Sequence, residues 1–175
     1  MRVNSASPQG TDVPSAIDEY LELLERRRAV LLATLDGLPK QVLDWTPLSA
    51  ETSSIAMLTR HCTDALRWWL VQELSGRPID YDRARDFAAE GEDAATLARV
   101  VNAAFDDCAA VLRELDPALL DRVWPVSIAH PRRGQVQSGH FRVYYPLLHL
   151  AEHIGHMQLT RQLWEAEGSV LAADA

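Results

Sequence analysis

The stretch Leu147–Trp164 reads Leu-Leu-His-Leu-Ala-Glu-His-Ile-Gly-His-Met-Gln-Leu-Thr-Arg-Gln-Leu-Trp, and the placement of His149, His153 and His156 within it decides how the chain is built. An α-helix turns about 100° per residue. With His149 at zero, His153 therefore falls at about +40°, His156 at about −20° and Thr160 at about +20°. Leu148, Leu159 and Leu163 flank them on one side, and Leu150, Met157 and Trp164 on the other. Gln158, Arg161, Gln162 and Glu165 take the back. The histidines run down the middle of the apolar stripe, not along its solvent edge. One imidazole there is explained as a core residue bonded to a neighbour. Three at one azimuth ask for more, because burial disfavours the charged ring and each ring needs a partner. Neutral imidazoles converging in a dry site suit a divalent metal, and the i, i+4 spacing lets two of them hold one ion.

Working outward, three more amphipathic segments precede this one. Helix one spans about Ser15 to Asp36, with Ile17, Leu21, Leu24, Leu31 and Leu35 at helical spacing. Ser15 and Asp18 make a capping box, and Gly37 is a natural stop. Arg28 falls on the same apolar stripe with no partner that the sequence identifies. A short turn from Leu38 to Trp45 follows. Helix two spans about Thr52 to Leu74, with His61 at the centre of an apolar face that includes Met57, Leu58, Ala65 and Trp68, and with Asp64 near the same azimuth. Gly76 to Asp93 is a long polar connection. Helix three spans about Ala94 to Leu115, with a stripe of Leu97, Val101, Ala104, Cys108, Val111 and Leu115.

Between helices three and four, Val123–Ile128 and Gln135–Gln137 suit a short hairpin around Pro131–Gly134. Arg132, Arg133 and Arg142 make this region basic in an acidic protein. They are candidate contacts for an anionic substrate, with Trp68 counted beside them. Helix four starts between His140 and Pro146, with the proline in its first turn, and ends near Ala166. The fold class is all-α. It is a four-helix bundle over residues 15–167, with flexible tails at 1–14 and 168–175 and a long loop or short hairpin between helices three and four.

Composition narrows the function. The 175 residues suit one domain with one core. A formal charge of −8, from 17 basic and 25 acidic residues, argues against a nucleic-acid partner. Cys62 and Cys108 show no metal-type or redox spacing, so a reducing, cytoplasmic setting is the expectation. No apolar run is long enough to span a membrane.

Bundles place metal sites in the core, on facing helices. If helices two and four are neighbours, His61 joins His149 and His153 in a three-histidine set with coordination positions left open, as in catalytic zinc sites. No histidine has Glu three residues before it, which sets the di-iron bundles aside. His156, Asp64 and Glu152 are candidates to orient a ligand or to act as base.

Three pieces of the chain resemble the DinB/YfiT-like four-helix bundle proteins. Leu35-Asp-Gly-Leu-Pro followed by Trp45-Thr-Pro looks like that family's exit from helix one. Ser54 to Trp69 looks like its helix two, with His61 as the metal histidine. His149-Leu-Ala-Glu-His-Ile-Gly-His156 looks like its helix four, with His149 and His153 as the other ligands. The resemblance implies a divalent metal, zinc or nickel, and a tendency to form homodimers. It also implies small-molecule chemistry with a low-molecular-weight thiol, as in S-transferases. Some branches of that family carry Gln at the place of His156. Two other readings stay open: a hydrolase working through metal hydroxide, and a stress-related module whose metal only stabilises the bundle.

Overall fold

The computed structural model describes residues 14–48, 52–125 and 136–173, with side chains up to Glu167. Helix α1 (Ala16–Leu35) begins where the sequence says it should. The Ser15 Oγ accepts the Asp18 backbone N–H at 3.2 Å, and the Asp18 carboxylate accepts the Ser15 N–H in return. The chain leaves α1 through Gly37 at φ +69°, a left-handed conformation that favours glycine. The short α2 (Lys40–Asp44) leads to α3 (Ile55–Arg67), whose cap is the Ser54 hydroxyl accepting the Met57 N–H at 3.2 Å. From Trp68 to Leu74 the same helix widens into π-helical turns. Helix α4 (Arg83–Asp86) is a single turn capped by Asp82, and α5 (Ala94–Glu114) is capped by Asp93.

After the single turn α6 (Ala118–Asp121), strands β1 (Val123–Pro125) and β2 (Val136–Ser138) pair antiparallel, with Trp124 opposite Gln137. The expected hairpin is thus present at its root, and its tip, with Arg132 and Arg133, lies outside the described residues. Helix α7 (Gly139–Ala173) follows β2 without a break. Helices α1 and α3 each pack against both α5 and α7, so α7 and α5 face each other across the bundle diagonal. Leu24, Leu31, Leu66, Phe105, Leu112, Leu147 and Met157 fill the shared core, and each such buried side chain contributes roughly 1.5–3 kcal/mol. Arg28, unexplained by sequence, reaches across to α5. Its Nε donates to the Asn102 Oδ1 at 2.9 Å, and its Nη1 lies 2.8 Å from Asp106.

Helix α7 corrects two expectations. It starts at Gly139, earlier than the proline signal suggested, so Pro146 lies inside the helix. It also runs to Ala173, past the expected end near Ala166. The early start is possible because residue 139 has no side chain. A Cβ there would overlap the Leu119 carbonyl oxygen and come within 2.8 Å of the Leu120 Cα. Gly155, on the same helix, has no atom within 4 Å of a would-be Cβ. Gly139→Ala is therefore expected to lower unfolding free energy by about 1–3 kcal/mol, as overpacking against backbone does. Gly155→Ala is expected to raise it by up to about 1 kcal/mol through helix propensity. Denaturant titration of both variants beside the parent checks the pair, and equal effects of the two would contradict the packing described.

Candidate metal centre

Helix α3 carries His61, and α7 carries His149 and His153 one turn apart. The contact between the two helices brings all three rings together. One ring nitrogen from each lies within 4.8 Å of the other two. Nε2 of His153 and Nε2 of His149 are 3.1 Å apart, and the His61 ring stands edge-on to both, with centroids 5.1 and 5.4 Å away. Among the described residues this is the one group of three or more His, Cys, Asp or Glu that could hold an ion together. Nitrogens bound to one tetrahedral ion at about 2.0–2.1 Å lie about 3.4 Å from one another, so the donor set fits a divalent cation in type and spacing.

The surroundings of each ring differ. Phe87 packs on His61 with centroids 4.9 Å apart, and Tyr145 stacks on His149. His61 is buried, with its Nδ1 3.7 Å from a carboxylate oxygen of Asp86, which is itself 2% exposed. His156 is exposed, and its Nδ1 lies 3.3 Å from Nδ1 of His153. It therefore meets the side of His153 opposite the one that faces His149. Burial, with the neighbouring imidazoles His149, His61 and His156, holds the pKa of half-buried His153 down to about 4, against an ordinary 6.5.

The remaining candidates lie elsewhere. Asp64 sits on the far side of His61 beside Asp86, near Arg67 and Arg85, and burial followed by Asp86 raises its pKa. Glu152 is exposed on α7. Trp68 is buried against Trp69 and Tyr81. Arg142 is not at an open mouth. It is 1% exposed and inserts between the end of α3 and the hairpin root. There it donates to the backbone carbonyls of Glu73 and Pro125, the latter at 2.8 Å, with its guanidinium 4.3 Å over the Trp124 ring and 3.6 Å from the Glu73 carboxylate. A guanidinium so engaged is a structural pin, and the expected anion contact at Arg142 does not stand. Cys62 and Cys108 are buried, and desolvation pushes both thiols far above the usual range, so neither serves as a nucleophile.

Asp86 and Phe87 were missed by sequence reasoning. Asp86 ends the single-turn α4 and Phe87 caps it, inside the polar connection 76–93, which has no periodicity to announce a face. The one available signal is Asp82, whose carboxylate caps that turn by accepting the Ala84 N–H at 2.9 Å.

Comparisons with known proteins bear on the fold and the family. A crystal structure of a DinB-like protein from Bacillus subtilis is similar over 83% of this chain and 91% of its own, with a TM-score of 0.62 at 16% identity. The fold is therefore DinB-like. The sequence model of the mycothiol-S-transferase family matches residues 19–166, and the chain belongs to that family. No curated protein matches it in sequence. Among the described residues no helix is long and apolar enough to cross a membrane.

The pKa of His153 sets a sign for the metal-free protein. Between pH 6.5 and about 4 the unfolded chain carries more proton on this residue than the folded one. Stability therefore rises with pH across that window and is lost as pH falls through it. The raised pKa of Asp64 acts in the opposite direction above its ordinary 3.8, because there the folded chain holds the extra proton. His153→Gln is expected to flatten the acid loss of stability between pH 6.5 and 4, measured as the denaturant midpoint in chelator-treated samples. An unchanged slope would contradict the half-buried neutral ring.

Proposed function

We propose that the protein is a metal-dependent S-transferase that joins a low-molecular-weight thiol to a small electrophile at the centre formed by His61, His149 and His153. The observation that carries the reading is the convergence of three neutral-type nitrogen donors from two helices beside an open cavity of about 590 Å³, whose wall includes His153 and His156. Three donors would leave a four-coordinate ion one position for a substrate atom, unlike a closed structural site. The family match supports thiol transfer as the reaction type. When bound, a divalent cation such as zinc or nickel supplies Lewis acidity, which favours the thiolate form of a thiol beside it.

The chain's own residues do the rest. The three imidazoles present unprotonated nitrogens to the centre. Phe87 and Tyr145 shield His61 and His149 from water. His153 engages His156 through its second nitrogen, which fixes its ring orientation. In the transfer, the thiol sulfur forms a bond to an electrophilic carbon. The bond from that carbon to its leaving group breaks, the leaving group departs with the electron pair, and the thiol proton passes to solvent.

Metal content by elemental analysis, with melting temperature, tests the assignment on the parent, His153→Ala and His156→Gln. His153→Ala removes one of three ligands and is expected to lose bound metal. His156→Gln keeps an amide acceptor and donor beside His153, so its affinity is expected to fall by about 10–100-fold at most. Both variants are expected to keep the fold, because the bundle has its own apolar core. Full occupancy in His153→Ala would sink the triad. Loss as complete in His156→Gln would make His156 a ligand.

A further inference from the structure

The cavity beside His153 and His156 has a composition that the family match does not specify. Three separate segments line it: Trp45 and Leu48 from the connection after α2, Leu58 from α3, and Leu159 and Leu163 from α7. The ring of Trp45 is held edge-on by Trp164, with centroids 5.5 Å apart. Leu48, Leu159 and Leu163 are 65, 53 and 41% exposed. Scattered exposed leucines need no explanation, but several converging on one concave wall next to a reaction centre do. Among the described residues, Glu167 carries the one formal charge of that wall besides the histidines, and it is negative. Among the described residues no Arg or Lys lines the cavity. Of the three arginines that the sequence offered for an anionic substrate, Arg142 is buried against Glu73 and Pro125, and Arg132 and Arg133 lie outside the described residues. Away from the histidine end, a carboxylate in this cavity would lose water and meet no cationic side chain among the described residues.

The histidine end is the polar one. If His153 keeps Nε2 unprotonated toward the centre, its Nδ1 carries the proton and donates to Nδ1 of His156, 3.3 Å away. The proton of His156 then sits on Nε2, where it is a donor. We infer that the cavity takes the electrophilic substrate, and that this substrate is a neutral molecule with an apolar body of one or two rings and a hydrogen-bond acceptor at its reactive end. The volume of about 590 Å³ is in the range of pockets for such molecules. The inference rests on the proposed function for the place of the reaction, and on the wall alone for the substrate class.

The test uses two probes of one shape, 2-acetylnaphthalene and 2-naphthoate, titrated by fluorescence into the full chain with and without metal. The neutral probe is expected to bind at least tenfold tighter. Leu163→Arg and Leu159→Arg, at exposed positions that the fold tolerates, are expected to reduce that preference. Equal or tighter binding of 2-naphthoate to the parent overturns the inference. So does a preference unmoved by both arginine variants. Binding of neither probe, together with a dimer that Leu163→Arg splits in sedimentation, assigns the cavity to contact with a second copy and also overturns it. A protein that binds the neutral probe selectively but holds no metal refutes the proposed centre and leaves the substrate class intact.

A second observation stands independently. His61 Nδ1 and the Oδ2 of Asp86 are both buried, lie 3.7 Å apart, and have no hydrogen-bond partner among the described residues. Two unsatisfied buried atoms of complementary type facing each other are one small ring movement from a bond. We propose that Asp86 is a positioning residue that accepts the Nδ1–H of His61 once a cation draws its Nε2 into the centre. It thereby holds the tautomer in which Nε2 is free to ligate. This too rests on the proposed centre.

Zinc affinity, read by competition with a chromogenic chelator, is expected to fall about 10–100-fold in Asp86→Ala. Asp86→Asn, which keeps an acceptor oxygen, is expected to fall between that variant and the parent. A purely structural role would shift the melting of the metal-free protein without this graded order. A parent that binds zinc and an Asp86→Ala variant that binds it equally overturns this proposal alone. A parent that binds no metal overturns the centre and Asp86's role with it.

Discussion

An imidazole buried in an apolar helix face must be matched by another polar group, and that requirement organises this molecule. Helix α7 places His149 and His153 on its core side, both partly buried, where their nitrogens have less access to water than on the outer face. Each therefore depends on a partner from outside its own turn: His61 from α3 for the inner face of the pair, and His156 for the outer face of His153. Meeting that demand ties α3 to α7 at one height along the bundle. The apolar core then supplies the stability around the tie, with leucines and Phe105 from the other helices.

Much of this was legible from residue spacing. Period-3.6 stripes located four long helices, and azimuth alone placed His61, His149 and His153 on core-facing stripes. Ser15 with Asp18 marked the start of α1 correctly. Other parts left no local trace. Arg28 reads as an anomaly until Asn102 and Asp106 are seen opposite it, a pairing between segments more than 70 residues apart. Arg142 reads as a loop cation because its partners are backbone carbonyls, which have no sequence signature. Asp86 sits on one helical turn, too short for any pattern. Pro146 misled because a proline inside a helix costs a hydrogen bond that tertiary packing can offset.

The distribution of charge separates two sides of the centre. Behind His61 the bundle is dense with acids and arginines, and a cavity of about 650 Å³ there is lined by Arg60, Asp64, Arg67, Arg85 and Glu92. In front of His153 the wall is apolar. Arginines that could attract anions are neutralised by acids on the first side: Arg60 pairs with Glu92, and Arg67 with Asp107. Charge is thus not spread evenly around the histidines: among the described residues the wall in front of His153 carries one formal charge, that of Glu167.

The widened turns from Trp68 to Leu74 bear on how the chain tolerates change in length. A π-helical stretch holds more residues per turn than an α-helix. Here the Ser75 N–H reaches back to the Leu70 carbonyl, five residues away. Deleting one residue within it would let the backbone close as an ordinary α-helix with no broken bonds of its own. Because each residue of a π-helical stretch turns the chain less than one of an α-helix, the flanking residues would keep their facing and the change would fall within the widened turns themselves. Those turns carry Trp69 in the core and Glu73 at Arg142, so the spacing of these two is what the deletion would disturb. The irregular turns thus hold one residue more than a regular helix would need there, between the histidine-bearing part of the helix and its hairpin end.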